Sequence, residues 1–122
     1  MGKTRGQGSL VISGYVPKKG DFVILTFDPQ AGHEQKGRRP ALILSNDLFN
    51  KHTGFAVACP VTNTDRSIPF HAKIPSSSSL TGFVMVDQVK SIDYRRRQAK
   101  YVEKAPPELL DEALSILDAC LY

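Results

Sequence analysis

The apolar residues of this chain come in runs of four to eight bounded by turn residues, and only one stretch repeats at helical spacing. Asp21–Phe27 (DFVILTF) follows Lys19-Gly20 and stops at Asp28-Pro29. Pro40–Ser45, Phe55–Thr62, Phe70–Ile74, Gly82–Val86, Val89–Ile92 and the weaker Gln98–Val102 complete the set. Runs this short, with β-branched and aromatic content, predict strands rather than helices. Pro60 inside its run predicts an edge, a bulge or a break, because proline brings no N–H to a ladder. Phe70, Ala72 and Ile74 alternate with His71 and Lys73, which sends His71 away from the core. The exception is the C-terminus. Pro106-Pro107 can open a helix, Glu108, Asp111 and Glu112 suit its positive end, and Leu109, Leu110, Ala113, Leu114, Leu117, Cys120 and Leu121 form one apolar stripe. A shorter helix is expected at Asp47–His52, capped by Asn46. The chain is therefore mainly β (α+β), a small curled sheet or barrel of short antiparallel strands with a C-terminal helix packed on it.

At 122 residues the chain suits one domain. The Gly-, Ser- and base-rich residues 1–14 read as a flexible segment, and 15–122 as the folded unit. Charge is unevenly spread: residues 1–102 carry fifteen Lys/Arg against seven Asp/Glu, while 103–122 carry one Lys against five acids. A basic body attracts polyanions, nucleic acid first among them, although the same balance also serves solubility. Cys59 and Cys120 fit neither a disulfide scaffold nor a zinc spacing and read as buried apolar thiols. No apolar run approaches the ~20 residues that cross a bilayer, and Leu10–Ile12 is too short for a signal core, so a cytoplasmic protein without membrane attachment is expected.

Four polar clusters can carry chemistry. Gly32-His33-Glu34-Gln35-Lys36-Gly37-Arg38-Arg39-Pro40 lies between the first two strands, with Arg39 directly before a strand that would brace it. A braced guanidinium suits bidentate phosphate binding, though an anonymous loop of this kind also reads as a solvated hairpin tip. Thr62-Asn63-Thr64-Asp65-Arg66 leaves the third run, where hydroxyl and amide groups either bind phosphate or simply make a turn. Asp87-Gln88 offers acceptors and donors for base edges, with Lys90 adding a cation. Tyr94 with Arg95-Arg96-Arg97 could track a single strand by stacking and charge, or form a solvated face. His33, His52 and His71 share no metal-ligand spacing, and no nucleotide-binding glycine motif is present, so neither metal nor cofactor is expected.

The sequence as a whole resembles the MazF/PemK family. The resemblance rests on Gly20-Asp21, Asp28-Pro29, Gly32, Glu34, Gln35, Gly37, Arg39-Pro40, Pro60-Val61-Thr62, Ile68-Pro69-Phe70 and Asp87-Gln88-Val89-Lys90-Ser91-Ile92, and runs from about Tyr15 to the C-terminus. It implies an SH3-like, plasmid-maintenance-toxin barrel that forms a homodimer. It also implies sequence-specific, metal-independent cleavage of single-stranded RNA, messenger RNA above all, by the toxin of a type II toxin–antitoxin pair. The cognate antitoxin's acidic, partly disordered tail would fill the RNA groove. By position, Arg39 and Thr62 match the family's catalytic arginine and threonine, Glu34 and Gln35 its active-site loop, and Asn46, Asp87 and Gln88 positions that contact RNA bases. His33 stands where members often have Ser. One branch of the family uses an Asp/Arg acid–base pair late in the chain, the region of Asp93, Arg95 and Arg96. The expected catalytic set is Arg39, Thr62 and Glu34, with His33, Gln35, Asn46, Asn63, Asp87, Gln88 and Lys90 binding substrate. Glu34, then His33, is the expected base. The competing readings are a non-catalytic toxin of the same barrel acting on a protein, and a nucleic-acid-binding barrel.

Overall fold

The computed structural model describes residues 14–27 and 37–122. Among these, seven strands form one antiparallel sheet: β1 (Asp21–Thr26), β2 (Arg38–Ile43), β3 (Phe55–Thr62), β4 (His71–Lys73), β5 (Phe83–Met85), β6 (Lys90–Asp93) and β7 (Lys100–Lys104). Two helices accompany them, α1 (Asp47–Thr53) and α2 (Pro107–Leu121). The strand order is β4-β5-β3-β2-β1-β7, with β6 also paired to β3. The chain is thus mainly β with a C-terminal helix, as expected.

β3 organises the sheet. It pairs with β2 over Ala58–Pro60, with β6 over Phe55–Ala58 and with β5 over Val61–Thr62. Pro60 falls where β3 passes from β6 to β5, the break its missing N–H predicts. Alternation along the central strands builds two cores. On one face Phe22, Leu42, Cys59, Val61, Ala72 and Val84 meet α2 through Leu109 and Ala113. On the other, Val23, Leu25, Ala41, Ile43, Ala58, Ile92 and Tyr94 pack together, with Tyr15 and Phe27 against them. Burying Leu109 alone contributes about 1.5–3 kcal/mol.

Both helices start as the sequence indicates. Asn46 Oδ1 accepts from Phe49 N at 2.9 Å, and Gly54 (φ 76°) closes α1 in the left-handed region. α2 opens at Pro107, with Pro106 before it and Glu108 in its first turn. Its last turn runs past the sheet, leaving Cys120 and Leu121 exposed, so only Cys59 is the buried thiol expected of both. Burial, with the Asp87 carboxylate adding to it, pushes the Cys59 thiol up to about 12.

Three expectations need correction. Strand β4 begins at His71, and Phe70 is 44 % exposed instead of joining the core. The Tyr94 ring is buried, with its hydroxyl donating to Asn50 O, because the second core needs a cover, so it offers no stacking surface. Arg97 donates to the carbonyls of Thr26 and Phe27 and is structural for the same reason: strand-end carbonyls need donors.

Candidate active site

The register of β2 on β3 places the first two elements of the site. Ala41 faces Pro60, Leu42 faces Cys59 and Ile43 faces Ala58. Continued by two residues, the same register sets Arg39 opposite Thr62, their side chains on the face that carries Ala41 and Ala58. Behind Arg39, β1 supplies Leu25 as its ladder partner. The Arg39 backbone is therefore held in a sheet while its side chain is exposed.

The β4–β5 hairpin closes the other side. His71 pairs with Met85 and Lys73 with Phe83, which in turn pairs with Thr62, so His71, Met85 and Thr62 share a face. A cleft of about 260 Å³ results. Arg39, Thr62, Asp87 and Gln88 line it, together with Arg66, Ile68, His71 and Met85. Asp87 and Gln88 come from a short 3-10 segment, Val86–Gln88, directly after β5.

Two details fix the geometry. Gly82 (φ 114°) brings its backbone so close to β3 that a Cβ there would stand 2.3 Å from the carbonyl oxygen of Thr62. Only glycine fits that approach and that dihedral. Asp87 Oδ1 lies 3.0 Å from His71 Nε2, and the His71 side chain is 3 % exposed against 36 % for Asp87. The two arginines outnumber the one carboxylate, so the cleft favours an anion. Among the described residues no three His, Cys, Asp or Glu side chains come together as a metal-ligand set.

The structure gathers some of the expected residues and not others. Arg39, Thr62, Asp87 and Gln88 share the cleft. Asn63 follows Thr62 and accepts from Thr81 Oγ1 at 3.1 Å. Asn46 is occupied as the cap of α1, and Lys90 lies over the Phe27 ring at 5.4 Å. Asp93 Oδ1 accepts from Arg96 N, which uses it in a turn outside the cleft. His33, Glu34 and Gln35 lie outside the described residues. Arg66, the last residue of the Thr62–Arg66 cluster, and His71 also line the cleft, although the sequence assigns neither a role in it. Alternation sets His71 opposite the buried Ala72, and that side of the strand is the wall of the cleft, not open solvent.

Together these features define a small antiparallel β domain with a two-arginine cleft that favours an anion. The family described as PemK-like, MazF-like toxin of type II toxin-antitoxin system matches residues 18–121, and the chain belongs to it. Endoribonuclease toxin MazF of Escherichia coli K12 is 39% identical over 100 residues, covering 82% of this chain and 89% of that protein. Endoribonuclease toxin ChpB of the same strain is 37% identical over 110 residues, covering 84% and 91%. The crystal structure of MazF from Deinococcus radiodurans superposes with a TM-score of 0.80 at 44% identity, covering 88% of this chain and 98% of that one. A MazE–MazF complex from the same organism gives 0.78 at 37% identity, covering 88% and 97%.

Proposed function

We propose that this chain is the toxin of a type II pair and a metal-independent endoribonuclease that cuts single-stranded RNA, messenger RNA in particular, at a short sequence. The observation that carries the reading is the single anion-favouring cleft that Arg39 and Thr62 both line. RNA brings its own nucleophile. The 2′-oxygen bonds to the adjacent phosphorus as the bond to the 5′-oxygen breaks. One proton leaves the 2′-OH and one joins the 5′-oxygen, giving a 2′,3′-cyclic phosphate and a 5′-OH. Arg39 grips the phosphate and offsets the charge gathering on it, and Thr62 holds a phosphate oxygen. The proton acceptor is a carboxylate: Glu34 by family position, or Asp87 by its place in the cleft beside both groups. Gln88 meets a base edge and Asn63 and Lys90 contact the strand, with Gln35 assigned to binding by family position alone.

Relatives named as endoribonucleases and a solved MazE–MazF complex support the assignment. We infer on the same footing a cytoplasmic homodimer and an antitoxin whose acidic segment competes with RNA for the cationic cleft. No helix among the described residues is long and apolar enough to cross a membrane. The test is incubation of the purified protein with a long RNA in EDTA, with cut sites mapped by primer extension. Discrete cuts ending in 2′,3′-cyclic phosphate are expected. Intact RNA would point instead to a toxin that acts on a protein, or to a simple binder.

A further inference from the structure

His71 lines the cleft and has no part in the cleavage chemistry proposed for Arg39, Thr62 and Asp87. The His71 ring is 97% covered (3 % exposed), its Nε2 is on Asp87, and its Nδ1 is buried with no partner among the described residues. As a space-filler it is a poor choice. An unpaired buried ring nitrogen is destabilising, a cost that leucine at the same place would avoid. What imidazole adds is a donor aimed at the carboxylate. Asp87 needs one. It sits on a single 3-10 turn, partly open to solvent, in a cleft shared with two guanidinium groups, Arg39 and Arg66. Either arginine attracts a loose carboxylate into an ion pair, and a pair with Arg39 would occupy the group assigned to the phosphate.

We propose that His71 is a positioning residue for RNA cleavage. Its Nε2–H holds Asp87 Oδ1, keeps the carboxylate out of an ion pair with Arg39, and leaves Oδ2 to take the proton of the attacking 2′-OH. That proton goes to Oδ2 as the 2′-oxygen bonds to phosphorus, and the departing 5′-oxygen takes its proton from water. The proposal rests on the endoribonuclease reading with Asp87 as acceptor. The backbone of β4 and the packing of Ala72 fix the ring's location, so the ring can hold its partner without itself moving.

The experiment is steady-state cleavage of a short RNA spanning a mapped cut site by the full chain and by His71→Leu, His71→Gln, Asp87→Asn and the His71→Leu/Asp87→Asn double variant, each checked by thermal melting. We expect His71→Leu to lower kcat about 10–100-fold, the scale of a misplaced reacting group, with KM within about twofold. His71→Gln, which keeps an N–H donor, should recover most of the rate. In the Asp87→Asn background His71→Leu should change nothing further. Multiplying losses in the double variant, a raised KM at unchanged kcat, or full activity of His71→Leu would each overturn the proposal. If His71→Leu fails to fold, His71→Gln decides: a kcat near wild type supports the role, and one as low as Asp87→Asn rejects it. If Arg39→Ala abolishes cleavage while Asp87→Asn leaves it intact, the nuclease reading stands and the His71 proposal falls. An inactive wild type overturns both.

Discussion

Arg38 and Arg39 are neighbours in sequence and opposites in use. The Arg38 guanidinium donates to Ile24 O at 3.3 Å, Gln98 O at 3.0 Å and Thr26 Oγ1 at 3.2 Å, tying the end of β1 to the turn before β7. Arg39, one pleat further on, points to the other side and lines the cleft. A strand turns successive side chains to opposite faces, so one step in sequence separates a cation tied to backbone carbonyls from one that lines the open cleft. The pair teaches that a basic run carries no single function: backbone carbonyls at a sheet end claim one charge, and the open cleft leaves the next for an anion.

The comparison breaks if the two arginines behave alike. Arg39→Ala should lower RNA cleavage by about 10²–10³-fold or more with an unchanged melting curve, as expected for loss of a charged contact to the transition state. Arg38→Ala should do the reverse. It leaves carbonyls short of a donor and costs about 1–2 kcal/mol, read as a fall in Tm of several degrees, with cleavage by the folded protein within a fewfold of wild type. Equal loss of activity in both variants would refute the division.

A smaller effect sharpens the same contrast from the β3 side. Gly82→Ala places a methyl against the Thr62 carbonyl and requires a left-handed alanine. About 1–3 kcal/mol of destabilisation is expected, with a fall in kcat if Thr62 shifts. Unchanged stability by denaturant titration would mean that the β3–β5 junction is looser than drawn.

The smallest effect lies outside the cleft. Glu103 accepts from Ser78 Oγ at 2.6 Å and Ser79 N at 3.0 Å, clasping the serine loop to β7. These bonds, the Ser78 hydroxyl first, hold the Glu103 carboxyl below the ordinary glutamate range. A lowered value means the clasp is intact above that ordinary range and released as pH falls through the depressed value. Protection of the Ser79 amide, its exchange measured against the intrinsic rate at the same pH, should fall on acidification in the wild type and be low at every pH in Glu103→Gln. A pH-independent Ser79 signal in the wild type would contradict this.

Much of this was legible in the chain. Run lengths announced the strands, Pro60 announced a break in the ladder, and Asn46 and Pro107 announced helix starts, because propensity, capping and alternation are local effects that neighbours in sequence settle. The motif Gly20-Asp21 was legible as a family mark, yet its physical meaning was not. Asp21 is buried and pairs with Lys104 Nζ at 2.6 Å, eighty-three residues away, while Tyr15 donates to it and is held above the ordinary phenol range by burial. The acid anchors the start of β1 and takes no part in the cleft.

Sequence by itself determined the β character, the two helices, and Arg39 and Thr62 as the residues to watch, since each follows from short-range pattern or from a motif. Only the tertiary structure decided which polar side chains meet. Arg66, His71 and Asp87 reach Arg39 through ladders that join β2 to β3, β3 to β5 and β5 to β4. Register between strands distant in sequence depends on packing both faces at once, and no single run of residues contains that information.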